Sequence, residues 1–162
     1  MRPIPEIAFA LARAHEALHD PKPATALYEP YHDPVGFPTI GYGHLLSREP
    51  WAPLDRWAPI TEAEADALLS RDMARAADAV LRFIAVPLAD GQFAALVDFT
   101  FNVGAGNLES STLRRVINRA EYGEAPRQFR RWVFARGVKL PGLVRRREDE
   151  IALWIGRAAR EP

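Results

Sequence analysis

Three side chains near the start of the chain are of the types that glycosidic-bond chemistry requires. Glu16 and Asp33 are carboxylates 17 residues apart, and Thr39 follows six residues after Asp33. Two carboxyl groups flanking one bond can divide the work of glycoside hydrolysis. One, protonated, gives its proton to the leaving oxygen, and the other organises a water molecule. A threonine hydroxyl beside the second helps hold that water. Each residue also has an ordinary role: Glu16 as a solvated helix residue, Asp33 as an Asx-turn residue before proline, Thr39 as a strand residue. A competing chemistry overlaps the first of them. His15-Glu16-Ala17-Leu18-His19 matches H-E-x-x-H, in which two histidines one helical turn apart bind zinc and the glutamate activates water. Pro21 follows at once and stops the helix where a metalloprotease helix must continue. The later histidines, His32 and His44, stand in no third-ligand pattern. No metal and no cofactor are expected.

The elements that must position these residues follow from periodicity. Residues 4–19 read as a helix with Ile7, Leu11, Ala14 and Leu18 on one stripe, ended by Asp20-Pro21-Lys22-Pro23. Between 27 and 44 the texture changes to Tyr, Phe, Thr and Ile with three glycines, which predicts short strands and tight turns. Asp33-Pro34-Val35-Gly36 is a good turn tetrad because proline presets φ at its second position. Residues 47–59, with three prolines and two tryptophans, predict an irregular connection. Thr61-Glu62-Ala63-Glu64 is a capping box that opens a helix over 61–84. Apolar runs at 93–103, 112–120, 125–135 and 143–159 predict four more helices. The expected fold is α+β and mostly helical. It is one domain over 1–162: an N-terminal lobe (1–60) with strands in 27–44, a linking helix (61–84) and a helical C-terminal lobe (85–162).

Composition narrows the function classes. The chain has 162 residues, 48% hydrophobic, with 21 basic and 21 acidic side chains and no cysteine. That length buries a core without staples, and the missing cysteines exclude disulfides, thiol catalysis and cysteine-ligated metals. Formal neutrality argues against a nucleic-acid partner, yet the zero is a sum of unlike parts. Residues 61–98 carry seven acids against three arginines, whereas 127–147 carry eight Lys/Arg and no acid. No stretch reaches the roughly 18 apolar residues of a membrane span, and the first 14 residues lack the pattern of a signal peptide. The expectation is a monomer without stable membrane association, held in the cytoplasm until release.

The segment Tyr31-His-Asp-Pro-Val-Gly-Phe-Pro-Thr-Ile-Gly-Tyr-Gly-His44 resembles the central motif of the phage-type lysozymes, glycoside hydrolase family 24. The resemblance continues in order through Gln92-Phe-Ala-Ala-Leu-Val97, Phe101-Asn-Val-Gly104, Ser111-Thr-Leu113, Phe129-Arg-Arg-Trp132 and Leu140-Pro-Gly-Leu-Val-Arg-Arg-Arg147. It implies a lysozyme-like fold and a muramidase (endolysin) that hydrolyses bacterial peptidoglycan. Glu16 is then the general acid, and Asp33 with Thr39 positions the water. His44, Phe101, Asn102 and Thr112 are implied as substrate-binding positions. The pattern departs from the family at one place: the gap between Glu16 and Asp33 is longer, which reads as a loop inserted over 19–26. Glu29 is the alternative acid, but it lies four residues before Asp33 on a strand, too close to face it.

An ordinary glutamate ionises near 4.3, so a general acid at neutral pH needs burial, a nearby negative charge or a basic partner. The resemblance places such a partner among Arg145, Arg146 and Arg147. If the two carboxyl groups work through a water, they stand roughly 6.5–9.5 Å apart and the anomeric configuration inverts. Two other readings compete: a lytic transglycosylase acting on the same bond, which does not need Asp33 and Thr39, and a non-catalytic wall-binding module.

Overall fold

The computed structural model describes residues 2–16 and 27–156. The inserted loop expected at 19–26, and with it His19, lies outside the described residues. Among the described residues seven α-helices and five short strands run in the order α1 (Glu6–His15), β1 (Tyr31–His32), β2 (Pro38–Ile40), β3 (His44–Leu45), α2 (Glu62–Phe83), α3 (Asp90–Val103), α4 (Ala105–Ser110), α5 (Thr112–Asn118), α6 (Ala125–Phe129), β4 (Phe134–Ala135), β5 (Val138–Lys139) and α7 (Pro141–Trp154). The fold is α+β, dominated by helix, as the sequence predicts. Two compact units divide it: Ala12–Asp72, and Met1–Leu11 with Met73–Pro162.

The smaller unit is built on an antiparallel sheet in the order β1-β2-β3, with Tyr31 opposite Thr39 and Ile40 opposite His44. Ala12, Ile40, Tyr42, Ala52, Ala65 and Leu69 are its buried apolar residues among those described. The capping box forms as the sequence requires. The Glu64 carboxylate accepts from the Thr61 N–H at 2.8 Å, and the Thr61 hydroxyl accepts from the Glu64 N–H at 3.3 Å.

The larger unit is organised around α3, whose residues Phe93 to Thr100 are all buried. Phe99 meets Phe129 and Trp132 edge-on, with centroids 5.3 and 5.4 Å apart. Gly91 lets α7 approach: a Cβ there would stand 2.6 Å from the Leu153 carbonyl oxygen. Along the same contact runs a buried ionic group. Arg146 holds Asp98 by two bonds of 2.9 Å, and Arg147 reaches Glu150 at 2.6 Å and the Asn102 side-chain Oδ1 at 2.9 Å. Burial pushes the Glu150 carboxyl well above its ordinary range and the Arg147 guanidinium below its own, while the attraction between the two opposes both shifts.

Two expectations fail in this unit. The helix predicted over 125–135 ends at Phe129, and Phe134–Ala135 pairs instead with Val138–Lys139. The cause is local: Arg136 and Gly137 both take positive φ, 50° and 77°, the conformation of a two-residue hairpin turn. Residues 105–110 form a helix that lies outside the four apolar runs, since Gly104 and Gly106 break its apolar pattern.

Removing one partner of a buried ion pair strands the other in low dielectric, which costs about 3–5 kcal/mol. Arg147→Leu is therefore expected to lower the unfolding free energy by about that amount in urea titrations. Arg130→Leu, which breaks the exposed pair with Glu148, is expected to cost far less.

Candidate active site

Glu16 follows directly on α1, and its N–H still closes the last turn onto the Ala12 carbonyl at 2.8 Å. The helix ends at His15, and Ala17 to His19 of the H-E-x-x-H segment lie outside the described residues. The Glu16 side chain, half-buried, lies against the three-residue loop that joins β2 to β3. Gly43 in that loop has φ +80°, and a Cβ on it would stand 3.2 Å from Glu16 Oε2. Glycine at 43 is what gives the carboxylate its place.

Asp33 opens the loop between β1 and β2, and its geometry is more constrained. Its Oδ1 accepts two backbone N–H groups, from Val35 at 2.9 Å and Phe37 at 2.8 Å. The Asp33 N–H and carbonyl bond to the Phe37 carbonyl at 3.0 Å and the Gly36 N–H at 2.9 Å. Four bonds therefore fix one residue. Its Oδ2 has no protein partner among the described residues. Thr39, on the middle strand and 4% exposed, gives its hydroxyl proton to the Phe37 carbonyl at 2.9 Å. Its oxygen lone pairs remain able to accept.

Tyr31 was not singled out in the sequence, although it stands within the quoted motif. It is the cross-strand partner of Thr39. Burial, then the charges of Glu16 and Asp33, push its phenol up to about 12. That shift places both carboxylates in the electrostatic surroundings of one side chain.

The positions implied as substrate-binding have more mixed surroundings. His44 Nδ1 bonds Asp72 and its Nε2 lies 3.5 Å from Arg71, so the ring ties β3 to α2. Asp72 is 28 residues away in sequence, and no local pattern announces the pair. In the larger unit, the Phe101 ring lies 5.7 Å from the Arg146 guanidinium, and Asn102 Oδ1 is used by Arg147. Thr112 opens α5, accepts from Arg115 at 2.9 Å, and lines a cavity of about 320 Å³ with Ser110, Ser111, Gln128, Arg131 and Trp132. Glu16, Asp33, Thr39 and His44 thus belong to the smaller unit, and Phe101, Asn102 and Thr112 to the larger. Glu29 is exposed and precedes β1. Among the described residues no group of His, Cys, Asp and Glu is arranged to hold a metal ion.

The mostly helical α+β fold is lysozyme-like, and Glu16, the strapped Asp33 and the buried Thr39 stand in it as candidate site residues. The chain belongs to the phage lysozyme family, whose model matches residues 25–150. Asp33 and Thr39 fall inside the matched span, and Glu16 precedes it. The chain is similar to the SAR-endolysin of Bacteriophage PS34, at 40% identity over 129 residues, 78% of this chain and 74% of that protein. Among solved structures it is similar to the endolysin of Escherichia coli O157:H7 phage FAHEc1, with TM-score 0.80, 25% identity and 99% and 98% of the two chains covered. It is also similar to the muramidase domain of SpmX from Asticaccaulis excentricus, with TM-score 0.78, 30% identity and 96% and 99% covered.

Gly43→Ala adds a methyl group against the Glu16 carboxylate and forces a positive φ on a residue that resists it. Lytic activity is expected to fall at least about tenfold, as a 1 Å misplacement can cost more. Circular dichroism is expected to show a fold retained with a lowered melting temperature.

Proposed function

We propose that the chain is a muramidase that hydrolyses the β-1,4 bond between N-acetylmuramic acid and N-acetylglucosamine in bacterial peptidoglycan, with Glu16 as general acid and Asp33 and Thr39 holding the hydrolytic water. The observation that carries the water-holding half is the division of labour within Asp33. Oδ1 is saturated by the N–H groups of its own loop, which leaves Oδ2 to receive a proton from water. Thr39, its hydroxyl proton committed to Phe37, acts toward the same water as an acceptor. A molecule that gives one hydrogen to each keeps both of its lone pairs available to the sugar.

Hydrolysis then runs with a balanced set of transfers. Glu16 gives its proton to the leaving oxygen as the glycosidic bond breaks. Water forms the new bond at the anomeric carbon from the opposite face and loses a proton to Asp33, and the configuration inverts. Glu16 is preferred to Glu29 because its carboxylate is seated against Gly43 of the β2–β3 loop, whereas Glu29 is exposed ahead of β1. Phe101, Asn102 and Thr112 are the further substrate-binding positions of this reading. His44 contributes by holding β3 in place. No helix of the described residues is long and apolar enough to cross a membrane. In this reading the enzyme acts as a monomer at the peptidoglycan layer after release from the cytoplasm, without nucleic acid, metal or cofactor.

Loss of a general acid typically costs about 10²–10⁴-fold in rate. Glu16→Gln is expected to lose at least that much in a turbidity assay on permeabilised bacteria while keeping its melting temperature, and wild-type lysis by this variant would exclude the assignment. Mass spectrometry of fragments released by the unaltered enzyme is expected to show reducing N-acetylmuramic acid ends. A 1,6-anhydro product would instead identify a lytic transglycosylase.

A further inference from the structure

The connection over 47–59 has no part in the mechanism above, yet one of its residues is held in a conformation that packing alone does not explain. Trp51 takes φ +61°, which a residue with a Cβ resists, and such backbone lowers stability wherever it is kept. At 68% exposure it is also the most exposed large apolar side chain among the described residues, so burial of the ring recovers little of that stability. Trp51 belongs to the smaller unit, together with Asp33 and Thr39.

The loop that carries Asp33 keeps it there. The Trp51 N–H donates to the Gly36 carbonyl at 2.8 Å, and His32 Nε2 donates to the adjoining Ala52 carbonyl at 3.0 Å. A Cβ on Gly36 would stand 2.5 Å from Trp51 Cε2, and 2.8 and 2.9 Å from the Cζ2 and Nε1 bonded to it. An approach within the ring plane would meet Cζ2 and Nε1 first, so Gly36 lies beneath the face of the indole. That cover explains why Gly36 is buried although it stands in a turn. The His32 ring stands beside the indole, with centroids 5.1 Å apart and a tilt of 54°. The exposed area of Trp51 is therefore that of the opposite face, which the Asp33 loop presents to solvent.

We infer that Trp51 is a saccharide platform, its outer face stacking on the C–H face of an N-acetylhexosamine unit of the glycan strand, next to the pair joined by the cleaved bond. The inference rests on the muramidase reading of the site. A β-1,4-linked pyranose carries its bulky groups equatorially, which leaves flat apolar faces of axial C–H bonds. The face of an aromatic ring carries partial negative charge that attracts them. Seated on Gly36 and outside the water-holding pair, the indole meets a neighbouring unit and not the sugar under attack. Its brace from Gly36 and His32 sets the ring before the strand arrives, so little ordering is left for binding. The strained backbone and the exposed ring then have one explanation.

Trp51→Gly accepts the positive φ while removing the ring, Trp51→Asn does the same with a side chain that tolerates it, and Trp51→Tyr keeps an aromatic face. Thermal melting checks that each variant is folded. Steady-state kinetics are compared on long soluble glycan strands and on the shortest peptidoglycan fragment that the unaltered enzyme cleaves. In Trp51→Gly and Trp51→Asn, KM for long strands is expected to rise about three- to tenfold, the range of one aromatic contact. Their kcat is expected to change less than about twofold, since the contact is equal in ground and transition states. On the short fragment, which lacks the additional unit, both constants are expected to stay within about twofold of the unaltered enzyme. Trp51→Tyr is expected to restore most of the long-strand KM. Equal losses on both lengths, or kcat lowered with KM unchanged, would show a brace of the Asp33 loop and overturn the inference. Unchanged kinetics on long strands would overturn it as well. Failure of the muramidase reading shows separately, as wild-type lysis by Glu16→Gln or as released fragments without reducing N-acetylmuramic acid ends.

Discussion

The bonds that Asp33 accepts from Val35 and Phe37 hold the candidate site together. One carboxylate oxygen closes the five-residue loop between β1 and β2, and the same bonds set the direction of the other oxygen. The Phe37 carbonyl, held by the Asp33 N–H, in turn receives the Thr39 hydroxyl and fixes which way it donates. The loop's own hydrogen bonds thus decide which atoms remain for chemistry. Such a site is arranged before substrate arrives, so little reorganisation is left for the reaction itself. Gly43 does for Glu16 by absence what the loop does for Asp33 by bonding.

Much of this was legible because it is local. The turn at Asp33-Pro34-Val35-Gly36 and the cap at Thr61 with Glu64 are contained in four residues each, and both form as their sequences require. Residues 125–135 misled because an apolar run says nothing of a turn just beyond it. Arg136 with Gly137 at positive φ reverses the chain and turns Phe134 and Ala135 into a strand. The partnership of His44 with Asp72, and of Asn102 with Arg147, spans 28 and 45 residues. Pairs so distant are made by packing, which periodicity does not encode. The family motif carried Glu16, Asp33 and Thr39 into view, yet it did not show which atoms of Asp33 and Thr39 are already bonded. That came from the hydrogen bonds.

The charge pattern changes meaning in the folded chain. The stretch 127–147 carries eight Lys/Arg and no acid, which suits either attraction to an anionic wall or a plain solvated helix face. Arg146 and Arg147 within it are buried and bonded to Asp98 and Glu150, and Arg130 is paired with Glu148. Part of that charge therefore serves the α3–α7 contact and projects no field into solvent. Attraction to the wall is correspondingly weaker than the sequence suggests. The formal neutrality of the whole chain is partly written into its core.

The central claim is that a water held by Asp33 and Thr39 attacks the sugar directly, and the stereochemistry of the product tests it. Proton NMR during the first turnovers, before mutarotation, reads the anomer released from a β-linked substrate. The account expects the α-anomer, formed by a single displacement with inversion. Initial release of the β-anomer would require a covalent or otherwise retained intermediate, and would contradict the assignment of Asp33 as the residue that holds the water.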